Sequence, residues 1–291
     1  MRFGVVFPQL EIGEDPAAIR DYAQAVEGMG YRHLLAYDHV LGASIAHRPD
    51  WSGPYTSDSA FLEPLVLFSY LAAFTRNIEL VTGVLILPQR QTALVAKQAA
   101  TLDVLCGGRL RLGIGIGWNT VEYDALNEDF HDRGLRSEEQ IAVLRALWTQ
   151  QVVTFQGRWH HIDEAGIKPL PVQRPIPIWI GGEAKIVLKR ISRIGDGWFP
   201  WFPPRPPDDA MRVSLESLRA DIQAAGRPPD AVGIEARLSL NQTPESEWGS
   251  YAESWRSAGA THLDINTMGL GLPSPQAHID MLHRVKNVLG V

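Results

Sequence analysis

The strongest constraint on this chain is a rhythm. Short β-branched or aromatic runs alternate with helical runs, and the unit recurs eight times. Arg2 to Phe7 is the first short run, closed by Pro8. The helix after it sets Ile19, Tyr22, Ala23, Val26 and Met29 on one face and stops at Gly30. His33 to Tyr37 is the second strand, separated from an apolar helix, Phe61 to Phe74, by an irregular loop from Val40 to about Ala60. Ile78 to Thr82 precedes helix Thr92 to Leu105. Arg109 to Ile114 then leads into a glycine-rich turn. Ser137 with Gln140 matches a capping box ahead of the face Ile141, Leu144, Leu147 and Trp148.

At this point the rhythm breaks. Residues 150–175 read as an inserted hairpin, Val153 to Phe155 against Trp159 to Ile162, followed by a proline-rich connector. Four more units follow, with strands at Ile176 to Ile180, Gly197 to Pro200, Val232 to Leu240 and His262 to Asn266. Eight such units close most naturally into a (β/α)8 TIM barrel, an α/β fold, here as a single domain over 1–291 with the hairpin before strand five. A doubly wound open sheet is the alternative. It calls for a dinucleotide fingerprint after the first strand, and Pro8-Gln9-Leu10 is not one.

Composition narrows the function. A net charge of −6 with no basic run argues against nucleic acid as a partner. No apolar stretch approaches the roughly 18 residues of a membrane span and the start lacks a signal-peptide core, so the expectation is a cytoplasmic protein. The single cysteine, Cys106, excludes an internal disulfide and reads as a buried small hydrophobe.

In a barrel, chemistry collects at the C-terminal ends of the strands. Those junctions carry Phe7 and Gln9, Asp38-His39, Gly83-Val84, Gly115 to Trp118, Gly181-Gly182-Glu183, Trp198 to Phe202, and Asn266. Together they describe a pocket for a flat aromatic ligand bearing phosphate. Gly181-Gly182-Glu183 opens a helix whose N–H groups can cradle an anion, although a tight turn reads equally well. Asp38-His39 is either a proton-transfer site or a turn aspartate beside a structural histidine. Gly113-x-Gly115-x-Gly117 is not the dinucleotide pattern, which disfavours a nicotinamide enzyme. Trp51, Trp118, Trp198 and Trp201 fall near junctions and suit the walls of a ring pocket, with Phe7 at the first strand end. His160-His161 has no third ligand at metal spacing and reads as packing. Arg133 and Arg136 read as partners of Glu138 or Glu139 on the surface.

These residues resemble the bacterial luciferase-like superfamily, in particular its coenzyme F420-dependent oxidoreductases. The resemblance spans nearly the whole chain. It is carried by Asp38-His39, by Gly107-Gly108-Arg109 through Trp118, by Pro177-Ile178-Trp179-Ile180-Gly181-Gly182, and by Gly195-Asp196-Gly197-Trp198. It implies an incomplete relative of the TIM barrel, usually dimeric, with a flavin-like ring at the barrel mouth. It also implies a non-prolyl cis peptide at Gly83-Val84 backing that ring, with Gly115, Gly117, Gly181, Gly182 and Glu183 meeting the cofactor's tail and phosphate. His39 would be the general acid/base, with Asp38 orienting it or facing substrate. The reaction would be hydride transfer between the deazaflavin and a substrate carbon.

Two positions depart from the sugar-phosphate dehydrogenase branch. Trp118 stands where that branch has an acid, and Ala43 where it has a tryptophan, which points to a less polar substrate. The competing function is an FMN-dependent monooxygenase that uses oxygen and takes reduced flavin from a partner reductase. A flavin-binding barrel without catalysis ranks last, since Asp38-His39 is present.

Overall fold

The computed structural model of the chain describes residues 1–200 and 206–291. In chain order the elements are β1 (Arg2–Val6), α1 (Pro16–Gly28), β2 (His33–Ala36), α2 (Pro64–Ala72), β3 (Glu79–Thr82), β4 (Leu85–Ile86), α3 (Thr92–Leu105) and β5 (Leu110–Gly115). They continue with α4 (Thr120–Ala125), α5 (Arg133–Thr149), β6 (Val153–Gln156), β7 (His161–Ala165), β8 (Ile178–Gly181) and α6 (Lys185–Ile194). The last are β9 (Gly197–Phe199), α7 (Asp209–Ala224), β10 (Gly233–Ser239), α8 (Trp248–Ser257), β11 (His262–Asn266) and α9 (Pro275–Leu289).

The sheet closes on itself. β1 pairs in parallel with β2 and β11, β2 with β3, β3 with β5, β5 with β8, β8 with β9, β9 with β10, and β10 with β11. The result is a (β/α)8 barrel whose ring is complete, where the family resemblance implied an incomplete one. β4 lies beyond the ring count. It continues β3 past Gly83-Val84 and pairs with the end of β5. The expected hairpin is the antiparallel pair β6–β7, inserted before β8. Glu139 pins its turn by accepting from the Arg158, Trp159 and His160 amides at 2.8, 2.8 and 2.9 Å. His160 spends its ring nitrogens on Glu139 and Thr92, at 2.8 and 2.6 Å, which makes it a structural residue.

Alternation along each strand divides the apolar residues into two sets. Phe3, Val5, Leu34, Leu80, Leu112 and Ile178 belong to the large outer core under the helices. Val6, Leu35, Val81, Trp179 and Phe199 form a separate inner cluster with Met268. Glycine makes room for the largest inner rings. A Cβ on Gly4 would come 2.1 Å from the His33 ring, and one on Gly197 would come 1.9 Å from the Trp179 ring.

Two local readings differ from the structure. Ser137 does not start a helix, because α5 already begins at Arg133 and the Ser137 hydroxyl donates to the Gly134 carbonyl at 2.9 Å. Arg136 explains the extra turn. It is buried, donating to Glu128 at 2.5 Å and to the Pro88 and Asp129 carbonyls at 2.7 and 3.2 Å, and does not form the surface pair read from sequence. The short helix α4 also escaped the sequence reading, and it carries a residue of the site. Among the described residues, no helix is long and apolar enough to cross a membrane.

Candidate active site

Site construction begins where β2 ends. Tyr37 is anchored there by its amide, which donates to Gln9 Oε1 at 2.6 Å, and Gln9 in turn donates to the Leu62 carbonyl at 3.3 Å. The next two residues turn opposite ways. Asp38 is buried, with Oδ1 accepting from Arg90 at 2.7 Å and Oδ2 from the Ile86 amide at 2.9 Å. It therefore braces β4 through Ile86 and does not orient His39, a correction to the sequence reading. The reason lies in its partners, since Arg90 and the Ile86 amide occupy both of its oxygens. Burial raises the Asp38 pKa despite the nearby Arg90 cation.

The partner of His39 is Glu122, on α4. His39 Nδ1 lies 3.0 Å from Glu122 Oε1, and the same oxygen accepts the Val40 and Leu41 amides at 2.9 and 3.2 Å. Gln89 donates to Oε2 at 3.2 Å. Burial favours protonation of Glu122, but these donors, His39 foremost, outweigh it and hold the carboxyl below its ordinary pKa. An ionised carboxylate only accepts, so Nδ1 carries the hydrogen and Nε2 is left to give or take a proton. Asn119 caps α4, its Oδ1 accepting from Val121 at 3.1 Å, and the same side chain donates to the Leu41 carbonyl at 3.2 Å. Asn119 followed three residues later by Glu122 is the helix-start pattern that could have revealed this residue from sequence.

Aromatic rings enclose the imidazole. Its centroid lies 4.9 Å from Tyr55, 4.8 Å from Phe61 and 5.8 Å from Trp118. Trp51 extends the wall, 5.6 Å from Trp118. Gly53 lets the loop close over both tryptophans, since a Cβ there would meet the Trp118 ring at 2.3 Å. Beside these rings opens a cavity of about 330 Å3, bordered by His39, Tyr55 and Phe61 on one side and by the polar Thr56, Ser57, Ser59 and Asn119 on the other. The loop from Val40 to Ala60 thus supplies the site's outer wall.

The remaining predicted positions divide. The Gly83-Val84 peptide is cis, as the resemblance implied. Val84 stands over the strand ends, where a Cβ on Gly115 or Gly181 would come 2.5 or 3.2 Å from its methyl groups. Ile86 covers Gly117 in the same way at 2.8 Å, so packing already demands glycine at Gly115 and Gly117. Gly182 has a positive φ of 124°, and Ala184 opens α6 with no side-chain cap. Glu183 beside it is exposed. Phe7 is a correction: it is fully buried in the outer core, edge-on to Tyr22 at 5.7 Å. Trp198 is another, fully buried with its indole N–H donating to the Gly182 carbonyl at 2.6 Å. It holds the turn from behind and does not wall the pocket. Trp201 and Phe202 lie outside the described residues.

A second polar cluster sits at the other end of the barrel interior. His33 Nε2 lies 2.8 Å from Asp264 and 3.0 Å from Glu235, and Glu235 also pairs with Arg111. Although His33, Glu235 and Asp264 are close enough to hold a cation, the Arg111 and His33 charges already serve the carboxylates.

Fold and site together give an α/β barrel with a histidine–carboxylate pair at its mouth. The chain belongs to the luciferase-like monooxygenase family, which it matches over residues 1–279. An uncharacterized Mycobacterium tuberculosis protein, Rv0940c, is 35% identical over 181 residues, 60% of this chain and 62% of its own length. The FMNH(2)-dependent dimethylsulfone monooxygenase of Pseudomonas putida is 29% identical over 80% of this chain and 61% of its own. The chain thus spans less than two thirds of the length of either relative. An F420-dependent secondary alcohol dehydrogenase, solved with an F420–acetone adduct, superposes with a TM-score of 0.79 at 17% identity over 99% of this chain and 98% of its own. At that identity the likeness speaks for the fold alone.

Proposed function

We propose that the chain is an F420-dependent oxidoreductase, moving a hydride between the deazaflavin and a small, fairly apolar organic substrate. The observation that carries this reading is the His39–Glu122 pair inside its aromatic enclosure. A histidine with a fixed tautomer, packed against Tyr55 and Phe61 at the edge of a cavity, can balance a proton. The residues suit a flat ring with a phosphorylated tail. Gly83 and Val84 would back the ring, and Gly115, Gly117, Gly181 and Gly182 would meet the tail. The N–H groups from Glu183 onward, at the start of a helix with no side-chain cap, would hold phosphate, since Gly182 gives its own N–H to the Phe199 carbonyl. The bound cofactor supplies the hydride chemistry. Glu122 holds the imidazole, His39 Nε2 moves the proton, and Trp51 and Trp118 border the substrate's apolar body.

A second reading, an FMN-dependent monooxygenase supplied by a partner reductase, draws support from the dimethylsulfone monooxygenase relative. A homodimer is part of the proposal, supported by exposed Val66, Leu94 and Leu105 on α2 and α3.

Quenching of tryptophan fluorescence on titration with F420, and separately with FMN, tests the cofactor. F420 binding is expected, and tight FMN binding with no F420 response overturns the first reading. A His39→Ala variant is expected to bind cofactor as before and to lose about 10²–10⁴ in turnover. Unchanged turnover would remove His39 from its role.

A further inference from the structure

Arg237 differs from the other arginines of the barrel interior and rim. Arg111 is matched by Glu235 and Glu79, Arg90 by Asp38 and Glu63, and Arg136 by Glu128. The Arg237 guanidinium has no hydrogen bond or ion pair to any described residue, and its buried Nε lacks an acceptor. Its backbone carbonyl accepts the Tyr251 hydroxyl.

Its surroundings lead toward the site. Arg237 lies on β10 opposite Asp264 of β11, and its guanidinium reaches over the Tyr37 ring, 5.0 Å from the centroid. Tyr37 is two residues before His39. Tyr55, the residue that touches the His39 ring, is close enough to exert an electrostatic effect on Arg237. Burial works against the charge, but Tyr37, Asp264 and Glu235 favour it more, and the guanidinium stays ionised. The residue is half-buried: Nε is shut in without an acceptor, and the rest of the fork keeps its donors free for a ligand. Its planar fork matches a carboxylate or sulfonate by two parallel hydrogen bonds.

We infer that Arg237 anchors an anionic head group, a carboxylate or sulfonate, on a substrate whose apolar body lies among Trp51, Phe61 and Trp118. This rests on the proposed function and deepens it: the substrate is apolar along its body and charged at one end. Arg237 would fix which end faces away from His39 and reject neutral analogues, since these leave the guanidinium unpaired. The polar edge of the cofactor ring is the other source of acceptor oxygens for the same fork.

The test uses the full chain without cofactor and three probes of similar size: benzenesulfonate, benzoate and benzyl alcohol. Tryptophan quenching is expected to report the two anions binding at least about tenfold tighter than the alcohol. Arg237→Gln is expected to abolish that preference, chiefly by weakening the two anions, and Arg237→Lys to retain part of it. Equal binding of anion and alcohol by the wild type, or a preference that survives in Arg237→Gln, overturns the assignment. Should Arg237→Gln fail to fold, the wild type and Arg237→Lys decide it, a full preference in Arg237→Lys counting against the bidentate anchor. Repeating the titration with saturating F420 or FMN separates the two sources. A preserved anion preference supports a substrate anchor, and its loss assigns Arg237 to the cofactor. Because the anion preference is read without cofactor, its failure leaves the His39 proposal standing, and the reverse also holds.

Discussion

Glu122 gathers four donors onto one carboxylate: the His39 ring, the Val40 and Leu41 amides, and the Gln89 side chain. That convergence fixes the imidazole and the start of the loop carrying Tyr55. Glutamine can keep one acceptor oxygen but brings an NH2 where a second acceptor stood, and it removes the charge that selects the tautomer. Glu122→Gln is therefore expected to lower kcat by about 10–100-fold, while KM changes little. A kcat equal to that of the wild type would show that the contact is only structural. From sequence, Asp38 was the natural candidate for this role because it adjoins His39. The sequence order hid the answer, since Asp38 spends its oxygens on Arg90 and the Ile86 amide, whereas a helix residue 83 positions further on brings its carboxylate to the ring.

At the scale of elements, the inner face of the barrel relies on glycine. A Cβ on Gly113 would come 1.9 Å from the Thr82 backbone carbonyl and 2.7 Å from the Phe199 ring. Backbone in a closed ring cannot yield as a flexible side chain can, so Gly113→Ala is expected to destabilise by about 1–3 kcal/mol or to abolish folding. Gly28, at the end of α1, meets nothing within 4 Å, and Gly28→Ala is expected to be neutral or to stabilise by up to about 1 kcal/mol. Chemical denaturation of both variants checks the contrast, and equal stabilities would refute it. The same alternation made the strands and long helices legible: β11 and the α1 face were read from period alone. α4 was not, because six residues span too few turns to set a period. Phe7 and Trp198 were assigned to the right junctions but to the wrong side of the sheet. Position along a strand reveals nearness to the mouth, while the side a ring faces depends on register, which aromatic residues at strand ends do not disclose.

Across the whole molecule, the barrel carries its chemistry at one end and a buried charge network at the other. Burial and the Glu235 charge push Asp264 up to about 7, and the Glu235 and Asp264 carboxylates overcome burial to lift His33 to about 9. A group whose pKa rises on folding stabilises the fold while protonated. The Asp264 contribution is complete below 3.8 and is lost as pH rises through about 7. The His33 contribution is complete below 6.5 and is lost as pH rises through about 9. Burial, followed by the Arg111 charge, depresses His262 to about 3, so its contribution is present above 6.5 and is lost on the acid side. Below 6.5, then, Asp264 and His262 oppose one another, whereas above 6.5 Asp264 up to about 7 and His33 up to about 9 both lose their contributions. The melting temperature is expected to be highest below about pH 6.5 and to fall as the pH rises from there to about 9. His33→Gln is expected to be less stable throughout, by about 3–5 kcal/mol, because it leaves two buried carboxylates to Arg111 alone. It should also lose most of the alkaline decline. Melting curves from pH 6 to 9.5 read both effects, and a wild-type melting temperature that stays level from pH 7 to 9.5 would remove the network from control of stability.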